Sequence, residues 1–576
     1  MNIDIVRGSE ADSLLEDAQF LAEWVQLCRR CHWATSFQGP DFTCTWYRIY
    51  RRRFEPLFVL SRDHDNRLNG LLTLAISSED GGLIVAGGQQ AEYQAWISAP
   101  ELGDTFADQL MRKLQTEFPT AMLAFRYLPP GTPTSWIAAT QARKICTLAV
   151  HRRPLLRFEG DNETIKSLNK KSNKSRLNRL EKVGALEFKR ISDPKEFEEV
   201  VNDIIQYYDF RQAAVHSVAP FGDDDLKKPF HLAMMKVPGL LHATVLKAGN
   251  QFCAAHLGVC GNTEVQLGII THNPLLAKHS PGKFHILFLA QMLIGEGYKQ
   301  LDLTPGGDPY KDRFANGFDE VHTLTVFFSQ RQRTKEAIRA GFTRAVKTGF
   351  KTVGIEPEHI KSLGNKIKGI RAAHTPATLL RHASQWIDRR REMRIYSYSP
   401  TNVPDFGGLQ LIRCNAPEEL LRYRPAEGRQ SRHQFLSTAL HRIENGLRVY
   451  TYSEDGHLLC YGWLSEGEEK LFLNEVRQEF RLPPKSVCLF DFWMSPQARG
   501  QELYTQFLQT VLQDLAHVPG TVKISVLADN IPLRNAIEDV GFAYECSLFE
   551  QVRLGWARRW SCLPDSSDTN SSFRTI

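Results

Sequence analysis

Apolar and polar positions along this 576-residue chain fall into three similar blocks. In the first, runs at 56–60, 68–76 and 82–86 predict strands, followed by a helix over 104–118 and a strand over 121–128. In the second, strands are expected at 241–247, 252–260 and 264–270, ahead of a helix at 281–296. In the third they are expected at 447–452, 457–463 and 486–494. A helix over 499–515 then carries Leu503, Phe507, Leu508, Val511, Leu512 and Leu515 on a 3.6-residue period. Positions 521–527 alternate Val522, Ile524 and Val526, as a half-buried strand does. The same order of elements thus recurs three times without a short sequence repeat. It predicts an α/β (α+β) protein of several domains, each a mixed twisted sheet flanked by helices. The expected divisions are an N-terminal half (1–155), a central domain (156–330), a basic helical linker (331–396), a C-terminal domain (397–562) and a Ser/Asp/Asn-rich, disordered tail (563–576).

Composition changes this picture in three places. The start of the chain lacks the basic and apolar stretches of a signal peptide. The best apolar run, 284–294, is broken by His285 and Gln291 and is too short to span a bilayer. The expectation is a cytoplasmic chain without a transmembrane segment. The 11 cysteines are scattered, several in strand-like stretches (Cys253, Cys260, Cys460, Cys488), which suits buried, reduced thiols. Cys28-Arg29-Arg30-Cys31-His32 spells a haem-attachment pattern, but it continues a helical period through Phe20, Trp24 and Leu27, so a structural helix is expected. No second ligand pair accompanies it, and no metal is expected. Charge is uneven: 331–394 holds 16 Lys/Arg and 5 Asp/Glu, a net of +11, whereas the whole chain is +6. The stretch 166–182 holds 7 Lys/Arg against Glu181 alone. Such blocks suit an anionic partner or, equally, a solvated helix face.

The chemistry-bearing residues concentrate near the middle. Ser280-Pro281-Gly282 reads as the start of a helix, with Ser280 as cap, Pro281 in the first helical position and Gly282 leaving the backbone open. A helix start is a ready phosphate site. After a strand near 300–303, Gly306-Gly307 turns the chain into Asp308-Pro309-Tyr310-Lys311. In an acyl transfer, Asp308 can act as base or orient the acceptor. Tyr310 can protonate a leaving thiolate, and Lys311 can bind phosphate or neutralise an oxyanion. The alternative is a turn made by Asp308 with Lys311 in solvent. His256, inside the apolar run 254–258, is either a base facing the cleft or a satisfied core histidine.

Ser-Pro-Gly, a helix, and a strand ending in Gly-Asp-x-Tyr-Lys resemble the cellulose-biosynthesis-associated acetyltransferases, a tandem branch of the GNAT superfamily. Ser36-Phe37-Gln38 with Trp46 is similar to the opening segment of that family's N-terminal half. The basic stretch from Asn169 to Arg179 is similar to its charged helix, so the resemblance covers roughly residues 15–330. It implies acetyl-CoA or another acyl-CoA as donor, cradled at Ser280, Pro281 and Gly282. It also implies direct attack without a covalent enzyme intermediate, and a saccharide or envelope-precursor acceptor linked to exopolysaccharide synthesis. The tandem arrangement is shared with peptidoglycan aminoacyl transferases, so an aminoacyl-tRNA donor is the rival, although nucleic acid is not the expected partner. A further rival is a non-catalytic scaffold in a polysaccharide-secretion assembly, docked to an anionic membrane surface by 331–394.

In the third block, Arg499-Gly500-Gln501-Glu502-Leu503-Tyr504 resembles the GNAT acyl-CoA motif, and Asp529-Asn530 with Gly541-Phe542 resembles the motif that comes after it. The resemblance would give Arg499, Gly500, Gln501, Leu503 and Asn530 contacts to the cofactor. Glu502 and Tyr504 depart from the small residues expected, and Ile537 replaces the usual Tyr acid. A carboxylate beside a pyrophosphate costs electrostatic energy, so a degenerate or unusual acyl-CoA domain is expected there, with Asp491 as a candidate base.

Overall fold

In this computed structural model the described residues are 2–138, 145–159, 166–329, 331, 333–334, 388–400, 411–425, 430–466, 470–498, 501–553 and 556–563. The chain divides into two compact units, Met1–Tyr208 with Pro220–Gly354, and Asp209–Ala219 with Ile355–Ile576. Each is a mixed α/β arrangement of curved sheets and helices.

The first unit holds three sheets. One runs Ile3–Arg7, Phe54–Arg62, Leu68–Ser77, Leu83–Val85, with Ile97–Ser98 also on Leu68–Ser77. Its strands are apolar along nearly their whole length, because helices of the first block lie on both faces: Phe20 and Trp24 of Ala18–Arg30 pack on Phe58, and Phe106 of Gly103–Glu117 packs on the opposite face at Gly70. Trp24, Trp46, Tyr47, Phe58 and Phe106 fill these layers, and the same core continues into Ala243, Val245 and Leu257 of the second block. A second sheet is ordered Ile269–His272, Gln251–Val259, Leu241–Ala248, Leu186–Ile191.

The third sheet joins the two blocks. Its order is Glu264–Gln266, Gln300–Asp302, Cys146–Arg157, Gly317–Phe327, Met122–Leu128. Met122–Leu128 belongs to the first block, yet its sheet neighbour is Gly317–Phe327. Cys146–Arg157 runs across the boundary expected at 155/156 and pairs with both Gln300–Asp302 and Gly317–Phe327. The first two blocks therefore share one sheet and one core. The amphipathic pattern could not show this, since it reports which face is buried but not against which strand.

The strand expected at 264–270 is broken in two. Glu264–Gln266 pairs in parallel with Gln300–Asp302 in the third sheet, while Ile269–His272 pairs antiparallel with Gln251–Val259 in the second. The chain changes sheets at Leu267–Gly268. A Cβ on Gly258 would lie 1.8 Å from the Gln266 carbonyl oxygen, and one on Gly268 would lie 2.8 Å from that of Leu257. Only glycine permits so close an approach. The break opens a wedge between the two sheets, and the helix Pro281–Gly295 packs beside it, with Phe284, Leu287 and Leu293 fully buried.

The second unit carries an eight-stranded sheet ordered Arg413–Cys414, Arg448–Glu454, His457–Glu466, Val487–Met494, Val522–Leu527, Asp388–Tyr398, Ala543–Arg553, Trp556–Cys562. Asp388–Tyr398 lies inside this sheet, whereas the residue pattern places 388–396 in the linker. Its run of arginines masks a strand whose inward positions are Met393 and Ile395. The rest of the linker beyond Thr334, and the tail beyond Leu563, lie outside the described residues.

The cysteines among the described residues are all free and mostly buried. Cys28 lies on the helix Ala18–Arg30, and Cys31 directly follows it. Burial pushes the two thiols up to about 12 and about 11. Among the described residues no helix is long and apolar enough to cross a membrane, and no group of three or more His, Cys, Asp or Glu is arranged to hold a metal.

Four buried histidines make the first unit sensitive to acid. Burial pushes His231, His242 and His256 down to about 3 from an ordinary 6.5, and His285 well below it. Below 6.5 the unfolded chain binds protons that these folded side chains refuse, so stability is lost as pH falls from about 6.5 towards 3. Going from pH 6.5 to 5.5 should cost about 1 kcal/mol for each. Urea unfolding midpoints should fall accordingly, and His256→Gln should show a shallower dependence on pH than the parent chain.

Candidate functional site

Asp302 ends its strand fully buried, and its two carboxylate oxygens organise the corner after it. Oδ1 accepts from the backbone N–H of Thr304 at 2.8 Å, which turns the chain sharply. Oδ2 accepts from the Tyr93 hydroxyl at 2.6 Å and lies 3.1 Å from Arg153 Nη2. The same Arg153 nitrogen donates to both oxygens of Glu264 at 2.7 and 2.8 Å. Arg153 Nη1 lies 3.7 Å from Asp319. Burial opposes the charge on Arg153, but Asp302, Tyr93 and Glu264 outweigh it and the guanidinium pKa rises. Burial raises Glu264, with Arg153 pulling the other way. A charge this deep persists only when paired and hydrogen-bonded.

Beyond Asp302 the corner is built on unusual backbone. Thr304 sits at φ 60°, Gly306 at 143° and Gly307 at 73°. The positive φ of Thr304 costs energy that a non-glycine residue meets only when its surroundings hold it. Lys311 is what holds it. Its buried Nζ donates to the Thr304 carbonyl (3.1 Å), Thr304 Oγ1 (3.1 Å) and the Pro305 carbonyl (3.2 Å), and lies 3.4 Å from Asp308 Oδ2. All three ammonium protons are directed at the turn. The expectation that Lys311 binds phosphate or an oxyanion therefore gives way to a staple role. Asp308 stands at the start of the short helix Pro309–Phe314 without capping it, and its side chain is nearly half exposed. Tyr310 is half-buried, packed against the apolar cluster of Leu301 and Phe314.

His256 is also corrected. It is fully buried, and its Nε2 donates to the Gln266 carbonyl at 2.9 Å, at the point where the strand changes sheets. Its Nδ1 is buried without a hydrogen-bond partner. The side chain satisfies a carbonyl that the broken ladder leaves over, and it is not a base facing the cleft.

The helix expected at 281–296 begins at Pro281 and ends at Gly295. Ser280 occupies the cap position in the left-handed region (φ 57°) and makes no side-chain cap bond. It shapes the approach to the helix instead of capping it. Gly282 faces His272: a Cβ there would stand 3.2 Å from His272 Nδ1. The connection from Ile269–His272 is rigid, because buried Asn273 accepts from Leu275 N–H at 3.0 Å and donates to the Phe252 carbonyl at 3.2 Å. In the same first turn, Lys283 Nζ donates to Asn173 Oδ1 at 2.8 Å. The split strand and the rigid connection thus lead into a helix start that has a glycine in its first turn, and backbone N–H groups at a helix start suit an anion.

Glu92 belongs to no pattern visible in the sequence. Its neighbour Tyr93 is tied to Asp302, so the pair reaches the corner from the first block, about 210 residues away in sequence by the spacing of that bond. Burial raises the Glu92 carboxyl pKa; Arg126, at 3.0 Å, and Lys311 oppose that rise, while Asp302 adds to it. Only the fold brings Glu92 and Arg153 to the corner, and neither lies in a recognisable motif.

In the second unit, Arg499 and Gly500 lie outside the described residues. Gln501 opens the helix Gln501–Asp514, and Leu503 packs half-buried against its core. Glu502 is exposed and accepts from Gln506 at 3.4 Å. Tyr504 is buried with an unpartnered hydroxyl, and Ile537 is core. Asn530 is exposed at the start of Ile531–Asp539 and makes no cap bond. Asp491, at φ 48°, is paired with Arg442, whose guanidinium lies over Trp463 and Phe490. Val487–Met494 pairs in parallel with Val522–Leu527 only from Val487 to Leu489, so a wedge opens here too.

Residues 169–312 match the family model described as an acetyltransferase (GNAT) domain, a span that contains the Pro281 helix start and the Asp308 corner. A GNAT-type acyltransferase domain thus occupies the centre of the chain. No curated protein matches. Among solved structures, a conserved protein of unknown function from Bacteroides thetaiotaomicron VPI-5482 is 11% identical, covering 53% of this chain and 97% of that one, with a TM-score of 0.37. The C-terminal domain of a putative lysylphosphatidylglycerol synthetase from Agrobacterium fabrum is 12% identical, covering 54% and 92%, with a TM-score of 0.35. FemX is 7% identical, covering 58% and 99%, with a TM-score of 0.39.

Arg153→Met should lower the stability of the first unit by about 3–5 kcal/mol, because it strands Asp302 and Glu264. Lys311→Ala should also lower the unfolding midpoint, whereas Asp308→Ala should leave it unchanged. Urea denaturation followed by tryptophan fluorescence measures all three.

Proposed function

We propose that the central domain transfers an acyl group from acyl-coenzyme A to an amine or hydroxyl of a saccharide or cell-envelope precursor, by direct attack. The observation that carries this reading is the split at Leu267–Gly268, after which Ile269–His272 parts from Gln300–Asp302 and joins the second sheet, with the Pro281 helix start beside His272. A split of this kind exposes backbone groups to an extended ligand, while the helix start takes its pyrophosphate. Ser280, Pro281 and Gly282 then serve as the phosphate cradle. The acceptor side falls to the Asp302 corner, where Asp308 is accessible and can orient the nucleophile. Glu92 is the carboxyl whose raised proton affinity suits a general base. Tyr310 lies in the helix that follows Asp308 and is the candidate acid for the leaving thiolate. The exopolysaccharide connection rests on the family resemblance. In the second unit Glu502 still argues for a weak or absent cofactor site.

Transfer from aminoacyl-tRNA is the second reading, favoured by the exposed cations of the helix Lys171–Glu181. It would appear as RNA binding that weakens steeply with salt.

Titration of acetyl-CoA into the full chain should give saturable binding. Gly282→Asp, which places a carboxylate at the helix start, should weaken it at least about tenfold, or 1.4 kcal/mol. Asp308→Ala should bind acetyl-CoA as the parent does, yet release thiol more slowly across a panel of amino-sugar acceptors. Unchanged binding by Gly282→Asp would remove this cradle from the reading.

A further inference from the structure

The cations around the Pro281 helix are more numerous than a pyrophosphate needs. Lys283 reaches across to Asn173, a buried residue of the Lys171–Glu181 helix that donates in turn to the Ser167 carbonyl at 2.6 Å. This bond pins the basic helix against the start of the Pro281 helix. Residues three apart share a helix face, so Lys170, just before the helix, and Arg176 flank Asn173 on the side turned to Lys283, with Arg179 one step further on. The charge neighbours agree. Burial, then Arg176, Lys170 and Arg313, lower the Lys283 pKa, while burial, then Lys278 and Arg179, lower that of His279. His279 is more than nine-tenths buried one residue before Ser280, and its Nδ1 has no hydrogen-bond partner. Among the described residues, none of Lys170, Arg176, Arg179, Lys278, Lys283 and Arg313 is ion-paired with a carboxylate. The carboxylates on the same elements are Glu181, which is exposed, Asp312, 3.9 Å from Arg152, and Asp308 at the corner.

Six cations of like charge held around one helix start, without carboxylate partners, repel one another. Such a cluster is stable when an anion of several charges occupies it. The helix start and Lys283 supply a place for two phosphates. Arg176 and Arg179 stand to one side, with planar guanidinium forks suited to a further phosphate.

We propose that Arg176 and Arg179 of the basic helix form a separate phosphate subsite, which reads the 3′-phosphate of the coenzyme A ribose. The assignment rests on the acyl-coenzyme A reading above and deepens it. The subsite makes the enzyme select coenzyme A over donors that share only its pyrophosphate and pantetheine.

The test is calorimetric titration of the full chain at low salt with coenzyme A and with 3′-dephospho-coenzyme A. The parent chain should prefer coenzyme A by about tenfold, as one charge-assisted phosphate contact provides. In the double variant Arg176→Ala/Arg179→Ala the preference should fall to about one, with binding of the dephospho form unchanged. Equal binding of both ligands by the parent chain would overturn the subsite and leave the acyl-coenzyme A reading standing. Binding of neither would overturn both. A short RNA hairpin that binds the parent chain more tightly than coenzyme A, and loses that affinity in the double variant, would assign the two arginines to RNA. The parent-chain comparison decides the matter even if the double variant fails to fold.

Discussion

A single buried guanidinium holds the central region together. Arg153 lies on the strand shared by the two blocks and binds Asp302 on one neighbouring strand, Glu264 on the next and Asp319 on the other side. Through Asp302 it reaches Tyr93 of the first block. Everything chemically interesting is laid out from that point. Glu264 begins the strand that splits to open the wedge, Asp302 begins the corner that Lys311 staples, and Tyr93 carries Glu92 alongside. An apolar core could supply as much stability, but it would not fix these four segments in one register, because apolar contacts tolerate sliding and a multiply bonded ion pair does not.

The strands and helices were largely legible from periodicity. Those at 68–76, 104–118, 252–260 and 457–463 appear within a residue or a few of their expected ends. What could not be read was partnership. Met122–Leu128 shows the same alternation whichever sheet it joins, and the chain carries no mark that its neighbour lies near residue 320. The break at Leu267–Gly268 was hidden because both halves are apolar and one glycine in a strand is a weak signal. Asp388–Tyr398 was hidden by its arginines.

The candidate residues divide in the same way. Those whose role is backbone shape, the Gly306-Gly307 turn and the Pro281 helix start, were found where the motif put them. Side-chain roles were less legible, because spacing does not say where a long side chain goes. Lys311 turned inward to the carbonyls of its own turn, His256 to a carbonyl of the split strand. Glu92 and Arg153 carry no motif and become visible only once the chain has folded. The second unit keeps a wedge but places an exposed carboxylate, Glu502, at the mouth of its helix, and ties Asp491 to Arg442.

The strand Met122–Leu128 has a consequence for how the polypeptide is made. Its only sheet neighbour among the described strands, Gly317–Phe327, is synthesised roughly 200 residues later, which at 5–20 residues per second is on the order of 10–40 s. For that interval the nascent first block carries an unpaired edge, with the apolar positions Leu123 and Phe125 beside it. The block cannot complete itself on the ribosome, so slowing translation between 130 and 327 lengthens its exposure to chaperones and to aggregation.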